Sequence, residues 1–149
     1  MRILRAEKNT ELDAVWRLFG PRVDRAGIPR LLANPTSHLL IAFSDEEDEL
    51  GDTGSPLGVV LGSELTGYDL STEMFISFIG VQPMAQRLGV GSALIRSMLA
   101  LAEERGCARV RGTLGPENVG AIRIMRKMGA ATENVSINVS WQLSEVPER

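Results

Sequence analysis

Val81-Gln82-Pro83-Met84-Ala85-Gln86-Arg87-Leu88-Gly89-Val90-Gly91-Ser92-Ala93-Leu94 is the stretch whose reading decides the fold. An apolar run from Met74 leads into it, and a helical pattern from Val90 to Arg105 leads out. It therefore joins a strand, through a short loop, to a helix with glycines at its start. The first amides of a helix have no acceptor within it, and the helix dipole adds partial positive charge there. Gly89 and Gly91 remove side chains that would hold an anion away, and Arg87 adds a cation. The stretch reads as a seat for a pyrophosphate; the plainer alternative is a glycine-loosened loop capping an ordinary helix. It is not the phosphate loop that ends in Gly-Lys-Ser/Thr. Nor is it the dinucleotide fingerprint, because Leu94 stands where the third glycine belongs.

Gln86-Arg87-Leu88-Gly89-Val90-Gly91 resembles the acetyl-CoA pyrophosphate loop of the GNAT superfamily of N-acetyltransferases. Val81 and Pro83 before it, Asn118-x-x-Ala121 after it, and then Lys127-Met128-Gly129-Ala130 stand in that family's order and spacing. The resemblance runs from Glu73 to Ala130 and is poor in the N-terminal third. It implies an α/β (α+β) fold: a mixed, mostly antiparallel central sheet with one parallel pair splayed apart, flanked by helices. It implies acetyl-CoA as cosubstrate and no metal. The cofactor-binding positions would be Ile79, Val81, Gln86, Arg87, Leu88, Gly89, Val90, Gly91, Ser92, Asn118, Ala121 and Met125.

The resemblance also implies the chemistry. An amine attacks the acetyl carbonyl, a carboxylate or water chain takes its proton, and a main-chain amide near Ile79 steadies the oxyanion. A thiolate then leaves. The family often protonates it with a tyrosine seven residues after the asparagine, and here that position is Met125. A thiol of pKa near 8.5 leaves without an acid, so the change lowers the rate and does not forbid turnover. Looser similarity to aminoglycoside 3-N-acetyltransferases lies at Glu73, the one charge on the apolar segment, and at Glu64. Glu73 is the expected base, with a solvated strand-end carboxylate as its alternative. Glu64 and Asp69 are further bases or ammonium anchors, and Tyr68 lines the pocket or covers the sheet edge. Trp16 and Trp141 read as core, and His38 as structural.

Composition sets the bounds. A chain of 149 residues fits one domain, residues 1–149, with a real core. At 44% hydrophobic and 23% charged it is globular. No apolar run approaches the roughly 20 residues of a membrane span, and the N-terminus lacks a signal-peptide core. The lone cysteine, Cys107, suits a reducing cytoplasm, and one histidine with one cysteine makes no usual zinc site. A net charge of −3 argues against a nucleic-acid surface.

In chain order, residues 3–6 predict an edge strand. Thr10 to Asp13 predict a capping box before a helix with an apolar face of Leu12, Val15, Trp16 and Phe19, ended by Gly20-Pro21. A short helix is expected over 28–32, strands over 38–43 and 57–61, and a polar loop over 62–72. The acidic segment from Asp45 to Asp52 reads as a solvated hairpin tip, or as a lure for a polycation. Glu73 to Val81 predicts a strand with Glu73, Phe75, Ser77, Ile79 and Val81 on one face and a bulge at Gly80. A strand over 108–114 should run parallel to it, followed by a helix ending at Gly129. Val135, Ile137, Val139 and Trp141 alternate with polar residues and predict a half-buried antiparallel strand.

The expected function is acetyl transfer from acetyl-CoA to a primary amine of a small cationic molecule, by direct attack in a ternary complex. Protein N-terminal or lysine acetylation and a non-catalytic acyl-CoA sensor are the alternatives. A homodimer is a further expectation.

Overall fold

A computed structural model describes residues 1–7, 15–20, 23–46, 54–133, 137 and 139–143. The chain forms two compact units, Met1–Gly115 and Pro116–Arg149. The first holds five strands in the order β1-β2-β3-β4-β5: β1 (Arg2–Arg5), β2 (Ser37–Phe43), β3 (Pro56–Thr66), β4 (Thr72–Val81) and β5 (Arg109–Gly112). The first three pairings are antiparallel and β4–β5 is parallel. Helices α1 (Trp16–Phe19), α2 (Ile28–Ala33) and α3 (Val90–Glu104) complete this unit, and α4 (Val119–Lys127) lies in the second. This mixed sheet with flanking helices is the expected fold class.

Period-two alternation divides the core between the two faces of the sheet. Leu39, Ile41 and Val59 form one buried cluster with Ala6 and Val15, against which Leu18, Phe19, Ile28, Leu31 and Leu32 of α1 and α2 pack. The other face receives α3, whose Val90, Leu94, Ile95, Met98 and Ala102 are buried. Gly62 suits this face because a Cβ there would sit 2.9 Å from the Met98 sulfur. After α3, Gly106 takes φ +74° and the Cys107 amide donates to the Ala102 carbonyl, a glycine stop to the helix.

Several expectations are corrected. β3 runs on to Thr66, so the loop expected over 62–72 shrinks to a tip between Thr66 and Thr72, and Glu64 is a strand residue. The β4 bulge is not at Gly80. Leu61 pairs with Phe78 and Gly62 with Ile76, so Ser77 is the extra residue. That extra residue reverses the alternation. Glu73 and Phe75 share a face with Phe78 and Gly80, whereas Met74 and Ile76 share the α3 face with Ile79 and Val81. Val81 accordingly reaches toward Gly91 of α3, and Phe78 stacks on Phe19 with ring centroids 4.9 Å apart. Gly80 has a different purpose: a Cβ there would lie 2.7 Å from the Leu18 carbonyl oxygen, so glycine lets α1 close on the strand.

The capping box at 10–13, Leu12 and Pro21 lie outside the described residues; α1 begins at Trp16 and Gly20 follows it at φ +81°. Residues 47–53 lie outside them too, while Asp45 accepts the N-terminal ammonium of Met1. Ile137, Val139 and Trp141 belong to no strand and are exposed, Trp141 at 71%, so they are not half-buried and Trp141 is not core. The intervening Val135, Ser136 and Asn138 lie outside the described residues.

Candidate active site

The start of α3 is built as the loop residues dictate. Pro83–Ala85 form one turn of 3-10 helix, and a further turn brings the chain to Gly89. Gly89 has φ +75°, a left-handed conformation that glycine adopts at little cost. It caps α3 through its carbonyl, which accepts from Ala93, and no side chain caps the helix. Among the described residues the amides of Gly89, Val90, Gly91 and Ser92 have no acceptor. A Cβ on Gly89 would meet nothing within 4 Å, and one on Gly91 would meet only Val81. Gln86, Arg87 and Leu88 are exposed beside these amides, and Val90 is buried beneath them. Unpaired, clustered donors with open space before them fit a diphosphate.

The second feature is where β4 and β5 part. Their pairing runs from Glu73↔Arg109 to Ile76↔Gly112 and stops there, at the Ser77 bulge. Gly112 brings β5 close: a Cβ there would lie 3.2 Å from the Ile76 carbonyl oxygen. Beyond it, Phe78 to Val81, with Ile79 among them, pair with β3 but with no described strand on the other side. β5 ends at Gly112, and β4 runs on beyond it to Val81.

Glu73 stands before this opening, buried, on the face opposite α3. Arg109 Nε donates to its Oε2 at 3.0 Å and Arg111 Nη2 to its Oε1 at 3.0 Å. Arg109 also pairs with Asp69 and donates to Ser71 Oγ at 3.2 Å. Asp69 accepts from the Ser71 amide and hydroxyl, and these bonds, with the Arg109 pair, hold its carboxyl below the usual range. Asp69–Arg109–Glu73–Arg111 is thus a ladder of alternating charges. Sequence reasoning missed both arginines. The available signal was Arg109-Val110-Arg111, two cations at strand spacing beside a strand with a single carboxylate.

Glu64 belongs elsewhere. It pairs with Met74 in register, so it lies on the α3 face, and the structure does not bring it together with Glu73 and Asp69. Its Oε2 accepts from His38 Nε2 at 2.8 Å and from Arg105 Nη2 at 3.0 Å. Burial alone would raise the Glu64 pKa, but these bonds outweigh it and the pKa is lowered. His38 is fully buried and its pKa is lowered, by burial above all, against the pull of Glu64. Among the described residues its Nδ1 has no partner, so a second proton would bury an N–H without an acceptor. Burial, and then the nearby Glu64 charge, raise the Cys107 thiol.

The remaining expected residues are placed separately. Tyr68 stands at the β3–β4 tip with 96% of its surface exposed, next but one to Leu70 at φ +64°. In the second unit, Asn118 precedes α4 and caps it without a side-chain bond, and Ala121 and Met125 are half-buried. Among the described residues no group of three or more metal-ligating side chains occurs.

Residues 8–130 match the family model described as Acetyltransferase (GNAT) family. No curated protein matches the sequence. Among solved structures, the chain resembles the aminoglycoside acetyltransferase meta-AAC0020 from an uncultured soil metagenomic sample, in complex with sisomicin, with a TM-score of 0.79 at 18% identity over 95% of each chain. It also resembles the aminoglycoside 6'-N-acetyltransferase AAC(6')-IG of Acinetobacter haemolyticus, with a TM-score of 0.76 at 22% identity over 96% of this chain and 99% of that one. A ribosomal-protein-alanine N-acetyltransferase from Brucella melitensis shares the fold at a TM-score of 0.69 and 17% identity, over 95% of this chain and 100% of that one. With a family model spanning most of its length and a sheet that opens beside an uncapped helix start, the chain belongs to the GNAT family of acetyltransferases.

Proposed function

We propose that the protein is an acetyl-CoA-dependent N-acetyltransferase acting on a primary amine of a small cationic molecule within a ternary complex. The observation that carries this reading is the set of acceptor-less amides from Gly89 to Ser92 beside the opening between β4 and β5. Those amides and Arg87 would hold the cofactor's diphosphate, with Gln86 and Leu88 flanking it and Val81 and Val90 beneath. Asn118, Ala121 and Met125 are carried over from the family pattern as further cofactor contacts. When bound, acetyl-CoA supplies an acetyl group activated as a thioester.

The chain's own residues do the rest. Ile79, in the half of β4 beyond the last β5 pair, is the candidate for the main-chain donor toward the acyl oxygen. Glu73 is the carboxylate of β4, on the face away from α3, and it would receive the amine of the acceptor. Each of its oxygens already accepts from a guanidinium, so an incoming N–H either takes a remaining lone pair or displaces one of those bonds. Asp69 acts on the acceptor only through Arg109, and Tyr68 offers an exposed ring at the same end of β4. Glu64 is assigned to the α3 packing, because its carboxylate is engaged on the opposite face. The acceptor class draws support from the aminoglycoside acetyltransferases that share the fold. Cytoplasmic location is likewise a proposal, supported by the single cysteine; no helix among the described residues is long and apolar enough to cross a membrane.

Calorimetric titration with coenzyme A tests the cofactor, and thiol release across a panel of polyamines, aminoglycosides and peptides tests the reaction. Binding lost in Gly89→Val, with release on small cationic amines, is the expected result. Because Met125 stands in the family's tyrosine position, a sensor is the second reading. Coenzyme A binding with no release on any amine would favour it, and release on peptides alone would favour protein acetylation.

A further inference from the structure

Resting on the amine-acetylation reading, we propose that Arg111 is a place-holder for the acceptor. Its guanidinium occupies, at Glu73 Oε1, the position that a cationic substrate's ammonium takes on binding.

The two cations on Glu73 are held unequally. Arg109 is anchored by three groups, Asp69, Ser71 and Glu73, and is 39% exposed. Arg111 is 60% exposed, and its bond to Glu73 Oε1 is the one ion pair it makes among the described residues. The Glu73 carboxylate itself is only 6% exposed. A carboxylate so enclosed needs its cations, because an unpaired charge out of water is costly. A guanidinium mostly in water gives up little when it turns away. Arg109 is therefore the permanent partner and Arg111 the exchangeable one.

The place of the exchange matters as well. Arg111 pairs in register with Phe75, one residue before the last β4–β5 pair, Ile76 with Gly112. Its guanidinium reaches back to Glu73, so an ammonium at Glu73 Oε1 would sit three pairs before that end, on the face away from α3. An ammonium is a compact charge with three donors, whereas the guanidinium is a wide planar fork, so the newcomer fits where the fork withdraws. The exchange swaps cation for cation and keeps Glu73 neutralised. An acceptor analogue with a hydroxyl in place of the ammonium cannot do this and would be rejected. Arg111 is in this sense a specificity-determining residue that competes with the substrate.

The experiment compares the wild type with Arg111→Gln and Arg111→Lys. Sisomicin and spermidine are titrated calorimetrically into each protein, with and without saturating coenzyme A, and KM and kcat are measured by thiol release. With the competitor removed, Arg111→Gln should bind the cations more tightly and show a KM about twofold to fivefold lower, kcat being preserved. Arg111→Lys should restore the wild-type values. Should Arg111→Gln lose its thermal transition, Arg111→Met, which keeps the apolar stem, takes its place. A KM and dissociation constant that rise or stay unchanged would overturn the proposal, since Arg111 would then hold the acceptor or serve packing alone. Calorimetry reads the exchange without turnover. Tighter binding to Arg111→Gln in a protein that acetylates no amine would reject the amine-acetylation reading while leaving the exchange in place.

Discussion

His38 and Gly80 show what single residues settle. His38 is neutral because its surroundings accept one proton and not two: Nε2 donates to Glu64, and Nδ1 faces no acceptor among the described residues. Its folded pKa lies below the ordinary 6.5, so beneath that pH the unfolded chain binds a proton that the folded chain refuses. Stability should fall as the pH drops through 6.5. Glu64, also lowered, adds a loss of the same sign as pH falls through its ordinary 4.5 and toward its folded value. Urea denaturation between pH 8 and 5 should show the midpoint falling, and His38→Asn should flatten the upper part of that curve. Gly80→Ala would press a methyl against the Leu18 carbonyl; overpacking of this kind costs about 1–3 kcal/mol, read as a lower Tm. At this scale the sequence was partly legible. Gly89 and Glu73 stood out from their neighbours by type. The partners of Glu73 did not, because Arg109 and Arg111 lie far along the chain and only the crossover through α3 brings them beside it. Glu64 was misplaced because a strand residue and a loop residue look alike in a polar stretch.

Elements were legible where their pattern is local. The strand–loop–helix from β4 into α3 could be read because apolar spacing and two glycines mark it. The Ser77 bulge could not. Most of Met74 to Val81 is apolar on both sides, so no polar alternation marks the point where the faces exchange. The same bulge yields a sharp expectation. Deleting Ser77 would make Ile76 and Phe78 adjacent against Gly62 and Leu61, a regular ladder with every later side chain kept on its face. The variant should fold, with unchanged far-UV circular dichroism and a Tm near that of the wild type. Its strands would lose the bend that accompanies their parting, and acetyl transfer should drop roughly 100-fold, the scale of a misplacement of about 1 Å. Retained turnover would show that the opening does not depend on the bulge. In α3, Leu94→Ala removes a fully buried side chain and should cost about 2–5 kcal/mol by denaturant titration.

For the whole molecule, the sheet separates two tasks. One face carries α3 and the His38–Glu64–Arg105 packing; the other carries α1, α2 and the ladder from Asp69 to Arg111. The sequence showed the elements but not this partition, since one bulge and one strand extension decide which carboxylate faces which side. The exposed run of Ile137, Val139, Trp141 and Leu143 belongs to the same scale. In a Trp16→Phe background, Trp141 fluorescence should be fully quenched by iodide in dilute solution. Protection that grows with protein concentration would mean that a second copy covers it, as in the expected homodimer. His38 has one more consequence. It is the only histidine in the chain, so a proton spectrum contains a single imidazole, in the floor beneath α3. The protein carries a built-in, label-free spectroscopic reporter of whether that floor is intact, which can be followed through cofactor titration, acidification or the variants above without assigning any other resonance.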